Sequence, residues 1–322
     1  MSFIYSLKIT TNAILQIFLL GFSGYLLTRR KLTSAENLKF LSWATIILFF
    51  PCFIFAKLIE NFNFQVYSNW WIFPLMSFVV TLVGILTGVL FVKLDKDLEK
   101  FKREFISLVT FQNSGYLPLI LVAFLLPIES QEQVFIYIFL FLLGFNLIMW
   151  SVGVFYLRGK KERFELSSLL SPPVIAVLAA LFIISLGWAN SIPQFLIRPV
   201  KMFGECALPL AMLVVGGNLA QIDFKLQESL KQVVYLVVAK LVFLPLLFFG
   251  IIFLIKPVYE IAFLILLQSI MPSATSLGVI MRNYDKKDNI ISLGIFWTHV
   301  LSLLTIPLFL ILFSALSAFL IR

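Results

Sequence analysis

Ten apolar runs of about 17–25 residues follow one another along the chain, and a helix rising about 1.5 Å per residue crosses a bilayer in that length. They cover 9–28, 38–59, 70–92, 105–126 and 134–157, then 172–188, 199–220, 233–255, 259–281 and 290–312. Hydrocarbon offers backbone N–H and C=O groups no water, so each run must satisfy them internally, as a helix does. The expectation is therefore an all-α integral membrane protein with ten transmembrane helices. Composition agrees, with 61% hydrophobic and 13% charged residues, against about 45–50% and about 25% in soluble domains. No polar tract is long enough for a separate soluble domain.

The net charge of +9 points to topology, not to nucleic acid. The loops after the first, third, fifth, seventh and ninth runs hold most of the lysines and arginines. Arg29, Arg30 and Lys31, then Lys93 to Arg103, Arg158 to Arg163, Lys225 and Lys231, and Arg282 to Lys287 all fall there. The opposite side has only Lys8, Lys57, Arg198, Lys201, Lys256 and Arg322. Basic residues stay cytoplasmic, so the chain is expected as a multi-pass protein of the cell (inner) membrane, with both termini on the non-cytoplasmic side. The first run lacks a basic n-region and a small-residue cleavage site, so it reads as a retained span. Cys52 and Cys206 both fall in runs and read as small buried side chains.

A basic linker, 158–170, separates two groups of five runs, 1–157 and 171–322. Five is odd, so the second group enters the membrane inverted. Landmarks recur in order. Pro51 in run two is answered by Pro209 in run seven, and Pro118 in run four by Pro272 in run nine, at nearly equal spacing. That pattern is the trace of a duplicated, inverted unit.

Runs four and nine are interrupted by polar and helix-breaking residues. One reads Gln112-Asn113-Ser114-Gly115-Tyr116-Leu117-Pro118, the other Gln268-Ser269-Ile270-Met271-Pro272-Ser273-Ala274-Thr275. Proline removes a backbone donor and clashes with the preceding turn, while glycine eases departure from helical geometry. The freed groups survive at membrane depth only against protein, water or ligand. Amides at the start of a half-helix carry partial positive charge and suit a carboxylate. Two such breaks in matching halves mark a transporter's substrate site near the midplane. Gln112, Asn113, Ser114, Gly115, Pro118, Gln268, Pro272, Ser273 and Thr275 are its expected components.

These residues resemble a family. Asn113 to Pro118, Met271 to Thr275 with its continuation to Tyr284, Pro51-Cys52-Phe53 and Leu208 to Asn218 are together similar to the auxin efflux carrier family of membrane permeases. The resemblance covers essentially the whole chain. It implies the fold shared with bile acid/sodium symporters, two inverted five-helix repeats with crossed, broken helices four and nine. Helices 1, 2, 6 and 7 would then form a scaffold and a homodimer contact, and helices 3–5 and 8–10 a moving transport unit. It also implies small organic anions, dicarboxylates or indole-type acids. Where many members read Asn-Thr-Gly-Tyr-x-Gly-x-Pro, this chain has Pro118 at the second glycine and Ile120 at the proline, which moves the break a turn earlier.

Ionisable groups within spans are costly and are functional candidates by default. Lys240 in run eight is a candidate partner for a substrate carboxylate, with a cluster of carbonyls as the alternative. His299, the only histidine, and Glu205 in run seven are candidates for proton coupling. An ion pair between Glu205 and Lys57 and a neutral, hydrogen-bonded His299 are the structural alternatives. Asn146 and Asn218 read as interhelical hydrogen-bonding residues. Runs four and nine carry no buried carboxylate, so no sodium site, metal or cofactor is expected. The function expected is a secondary carrier of a small organic anion, by uniport or proton coupling. An intramembrane enzyme lacks its motif here: there is no His-Glu-x-x-His and no pair of aspartates within spans. A transporter-like sensor or scaffold would normally append a soluble signalling domain.

Overall fold

The computed structural model describes residues 3–158, 170–221, 230–283 and 289–320. Much of the expected linker and parts of the basic loops, with Lys225, Tyr284, Lys286 and Lys287, lie outside the described residues. Within them the chain is helical, apart from one isolated antiparallel bridge.

Among the described residues, seven helices are long and apolar enough to cross a membrane. They are α1 (Phe3–Arg29), α2 (Ala35–Asn61), α3 (Ile72–Leu94), α6 (Ile128–Leu157), α8 (Gln194–Ala220), α9 (Leu230–Ile255) and α12 (Asn289–Leu320). Run six yields a shorter apolar helix, α7 (Pro172–Ser185), with proline in its first turn, where a missing N–H costs nothing. Runs four and nine each split in two. The first gives α4 (Lys102–Thr110) and α5 (Tyr116–Leu125), the second α10 (Tyr259–Ser269) and α11 (Ser276–Asn283). Many large apolar side chains face outward, among them Leu86, Phe182, Leu254 and Leu304, as a hydrocarbon solvent allows.

Two long helices widen into π turns directly before a proline. Thr45–Phe49 precedes Pro51 in α2, and Val238–Phe243 precedes Pro245 in α9. A proline cannot bond the carbonyl four residues back, and the wider turn absorbs the mismatch. A third π turn, Met149–Gly153, interrupts α6 without a proline.

Glycines set the closest helix contacts. A Cβ on Gly216 of α8 would lie 1.7 Å from the Gly21 carbonyl oxygen of α1, and one on Gly24 would lie 2.1 Å from that of Leu213. Without a hydrophobic drive between helices in lipid, such backbone approach is a main source of cohesion. Gly84 brings α3 against Thr110 at the end of α4, and Gly204 brings α8 against Phe53 of α2.

Two expectations about single residues are corrected here. Cys206 is exposed and Cys52 half-buried, both as free thiols, because α8 turns at Cys206 and carries it to the outer surface. Lys57 pairs not with Glu205 but with Glu132 of α6, at 2.5 Å. Glu205 is exposed beside the Cys206 turn. Lys201 of α8 instead joins Glu60 of α2, at 3.0 Å.

Candidate functional site

The two breaks meet. Asn113 N donates to the Pro272 carbonyl at 2.8 Å and Ala274 N to the Phe111 carbonyl at 2.9 Å, so Gln112 and Ser273 face each other as an antiparallel bridge. The sequence explains why the helices open where they do. Pro118 in the first turn of α5 cannot bond Ser114 O, which instead accepts from Gln268 Nε2 at 3.3 Å. Pro272 likewise leaves Gln268 O without its helical donor.

The end of α4 is closed residue by residue. Ser107 O accepts from Phe111 N at 2.9 Å, Leu108 O from Ser273 Oγ at 2.7 Å, and Val109 O from Lys240 Nζ at 2.7 Å. A helix end leaves its last carbonyls unpaired, and here other helices supply the donors. Ser273 N is in turn held by Thr298 Oγ1 of α12 at 3.2 Å. The amides of Asn113, Ser273 and Ala274 are spent on holding the breaks together; the expected anion donors were those at the start of each second half-helix. At membrane depth an unbonded amide against protein costs several kcal/mol, so the strands of the crossing satisfy each other. At the starts of α5 and α11, Leu119 N bonds Gly115 O at 3.1 Å, and Leu277 N and Gly278 N bond Ala274 O and Thr275 O at 3.2 Å. The donors left over there are the amides of Tyr116, Leu117 and Ser276, which have no backbone acceptor among the described residues.

A cavity of about 170 Å³ lies against the crossing. Gln112, Asn113, Ser114, Gly115 and Tyr116 form one wall, and Ala274, Thr275 and Ser276 continue it. Ser42, Thr45 and Phe50 of α2 face them, with Asn146, Met149 and Trp150 of α6 and Asn218 of α8. No charged residue lines it among the described residues. Gln112 Nε2 is buried without a hydrogen-bond partner among the described residues.

The site residues expected from sequence thus divide. Gln112, Asn113, Ser114, Gly115 and Thr275 line the cavity. Gln268, Pro272 and Ser273 lie behind it and hold the crossing together. Pro118 is buried and acts only by freeing the Ser114 carbonyl. Lys240 is fully buried, bonded to Val109 O, and lines neither this cavity nor the one beside it; its ammonium caps a half-helix, where a positive charge meets the negative end of the dipole. His299 approaches Asn113 and lines a second, apolar cavity of about 280 Å³ between α1, α8 and α12. Glu205 reaches neither cavity.

Sequence reading missed Ser42, Thr45, Asn146, Trp150, Asn218 and Ser276. The two asparagines were legible as polar groups inside spans, but their expected role was between helices, and they line the cavity instead. Ser42 and Thr45 carried no signal, since a hydroxyl in a membrane helix can bond its own backbone, as Thr45 Oγ1 does with Leu41 O at 2.8 Å.

The chain also matches known proteins. The profile of a family described as membrane transport protein covers residues 9–168 and 163–310. Protein PIN-LIKES 2 of Arabidopsis thaliana is 30% identical over 179 residues, which is 50% of this chain and 38% of that protein. Protein PIN-LIKES 7 of the same plant is 21% identical over 95% of this chain and 97% of its own length. An uncharacterised transporter of Schizosaccharomyces pombe is 23% identical over 43% of this chain and 34% of its own. With the family profile matched along nearly all its length, the chain belongs to the auxin efflux carrier family of membrane transport proteins.

Proposed function

We propose that this chain is a secondary carrier of a small organic anion, working by alternating access around its two broken helices. The observation that carries this reading is the polar, uncharged cavity placed where the breaks meet. Two half-helix N-termini border it, through Gly115 and Tyr116 of one and Thr275 and Ser276 of the other. Each presents partial positive charge, and Gln112 Nε2, buried without a partner among the described residues, adds a donor. A carboxylate is thereby met by dipoles alone, which bind it without a fixed cation that would hinder release.

In the same reading the spans form two inverted five-helix repeats, 1–157 and 171–322, with α4–α5 and α10–α11 as crossed helices four and nine. The packing supports a division of labour: α1 lies on α8, and α2 on α7 and α8, while α3 lies on α4 and α6. The first set would be the scaffold and homodimer contact, and the second, with α9 to α12, the moving unit. Both termini are assigned to the non-cytoplasmic side of the cell membrane by the basic loops.

The cavity's outer walls come from helix ends that adjoin those basic loops: Ser42 and Thr45 of α2, Met149 and Trp150 of α6, and Asn218 of α8. At the other end α2 and α6 are joined. Glu132 accepts from Lys57 at 2.5 Å and from Asn61 Nδ2 at 3.0 Å, and Phe53 packs edge-on against Phe135 and Phe139. These contacts support the reading of a carrier open to the cytoplasm and latched outside. Glu132→Lys would set two ammonium groups together in place of the latch and is expected to shift the population outward. A cysteine at Thr275, in a Cys52→Ser, Cys206→Ser background, should then react several-fold faster with an impermeant thiol reagent applied from outside. Unchanged labelling would remove the latch.

The general test is a thermal-shift screen of carboxylic acids on the purified chain, followed by uptake of the hits into proteoliposomes. A ligand at about 100 times its Kd stabilises by about 2.7 kcal/mol, a shift well above noise. If cationic and neutral solutes stabilise and no carboxylate does, the anion assignment falls.

A further inference from the structure

We propose that His299 and Asn113 form a proton-operated switch that decides whether Asn113 offers the polar cavity a hydrogen-bond acceptor or a donor. The proposal deepens the anion-carrier reading above and rests on it. His299 Nδ1 lies 2.8 Å from the Ile295 carbonyl oxygen. A carbonyl can only accept, so Nδ1 carries the hydrogen, and in the neutral ring Nε2 is left as an acceptor. Facing it at 3.5 Å is Asn113 Nδ2, the end of the amide that can donate.

Asn113 is fixed at its backbone by the bond to Pro272 O and lines both the polar cavity and the apolar cavity shared with His299. Its side chain therefore bridges the two. With Nδ2 turned to His299, the end left for the polar cavity is Oδ1, an acceptor that repels a carboxylate. When Nε2 takes up a proton, both ring nitrogens become donors and Nδ2 can no longer face it. Rotation of the amide by about 180° about its terminal torsion, a soft two-fold one, lets Oδ1 accept from Nε2–H. Nδ2 then points at the cavity and donates to the anion. One proton enters with one carboxylate, and loss of the proton turns the amide back and releases the anion. No bond other than N–H is made or broken.

The surroundings leave His299 as the group that titrates in this contact. The other titratable side chain lining its cavity is Tyr25 of α1. From α9, Lys240 is committed to Val109 O. The charged residues of α4 (Lys102, Arg103 and Glu104) lie in its first turn, two turns from the crossing. At the far end of α12, Tyr259 of α10 packs on Phe313. Exchanging an acceptor for a donor against a charged group changes affinity by about 10- to 100-fold. By reciprocity a bound carboxylate raises the His299 titration midpoint by about one to two pH units.

The single histidine makes this measurable, because 15N-histidine labelling of the full chain in lipid nanodiscs reports His299 alone. The expected spectrum at alkaline pH is the neutral Nδ1–H tautomer. Succinate and benzoate, each first checked for a thermal shift, should move the titration midpoint upward in the unsubstituted chain. Neither should move it in Asn113→Leu or in the milder Asn113→Ser. An Nε2–H tautomer, or a midpoint indifferent to a carboxylate that does raise thermal stability, overturns the switch. If neither carboxylate raises stability, the anion reading fails while the tautomer still judges the His299–Asn113 contact.

Discussion

Gly216→Leu is expected to eliminate folded carrier. A Cβ at this position would sit 1.7 Å from Gly21 O, 2.7 Å from its carbon and 3.0 Å from Tyr25 N. All three are backbone atoms of α1, so no side-chain rotation relieves the clash, and the helices must separate. In lipid the separated surfaces gain nothing from a hydrophobic effect, since hydrocarbon already surrounds them. Overpacking of a flexible core costs about 1–3 kcal/mol, and a backbone clash of this depth should exceed that range. Val215 and Asn218 on the same helix line the cavity, so residual folded protein should also bind poorly. The check is the monodisperse fraction on size-exclusion chromatography and the thermal midpoint. Gly250→Leu is the control, since nothing lies within 4 Å of a Cβ there. Equal behaviour of the two variants would mean that α1 and α8 do not pack as described.

Asn113→Ala and Thr275→Ala are expected to lower affinity for a transported carboxylate by about 10- to 100-fold each, the worth of one hydrogen bond to a charged group. The two residues stand on opposite breaks and both line the cavity, so the double variant should lose transport altogether. Stability should change little for Thr275, which is half-buried and whose carbonyl, the acceptor for Gly278 N at 3.2 Å at the start of α11, is kept by alanine. Ser273→Ala behaves differently: it strands the buried Leu108 carbonyl, and its loss should appear first in the thermal midpoint. Counterflow in proteoliposomes and thermal denaturation separate the two effects. Full transport by both cavity variants would place the site elsewhere.

How much of this was legible beforehand depended on the range of the interaction. Hydrophobic length and proline or glycine at an interior position act within one segment. They located the spans and both breaks, because a proline denies a bond to its own helix wherever that helix lies. Polar residues within spans were recognised as out of place for the same local reason. Which of them share a cavity is a matter between helices. Lys240 is the clearest instance: its depth was readable, but only the packing of α9 against α4 decided that its ammonium meets Val109 O and not a ligand. Lys57 is another, since α2 meets both α8 and α6 near that level and packing brings its ammonium to Glu132 of α6, not to Glu205.

The amino-acid order by itself determined that this chain crosses a membrane many times and that two of its helices are broken, since bilayer thickness and the missing proline donor admit little else. It also carried the family. Tertiary structure alone decided that the two breaks satisfy each other's amides, that Asn146 and Asn218 face a cavity, and that Asn113 stands between that cavity and His299. The physical reason is that buried polar groups bond to whatever donor or acceptor packing brings within about 3 Å, and that neighbour lies far away along the chain.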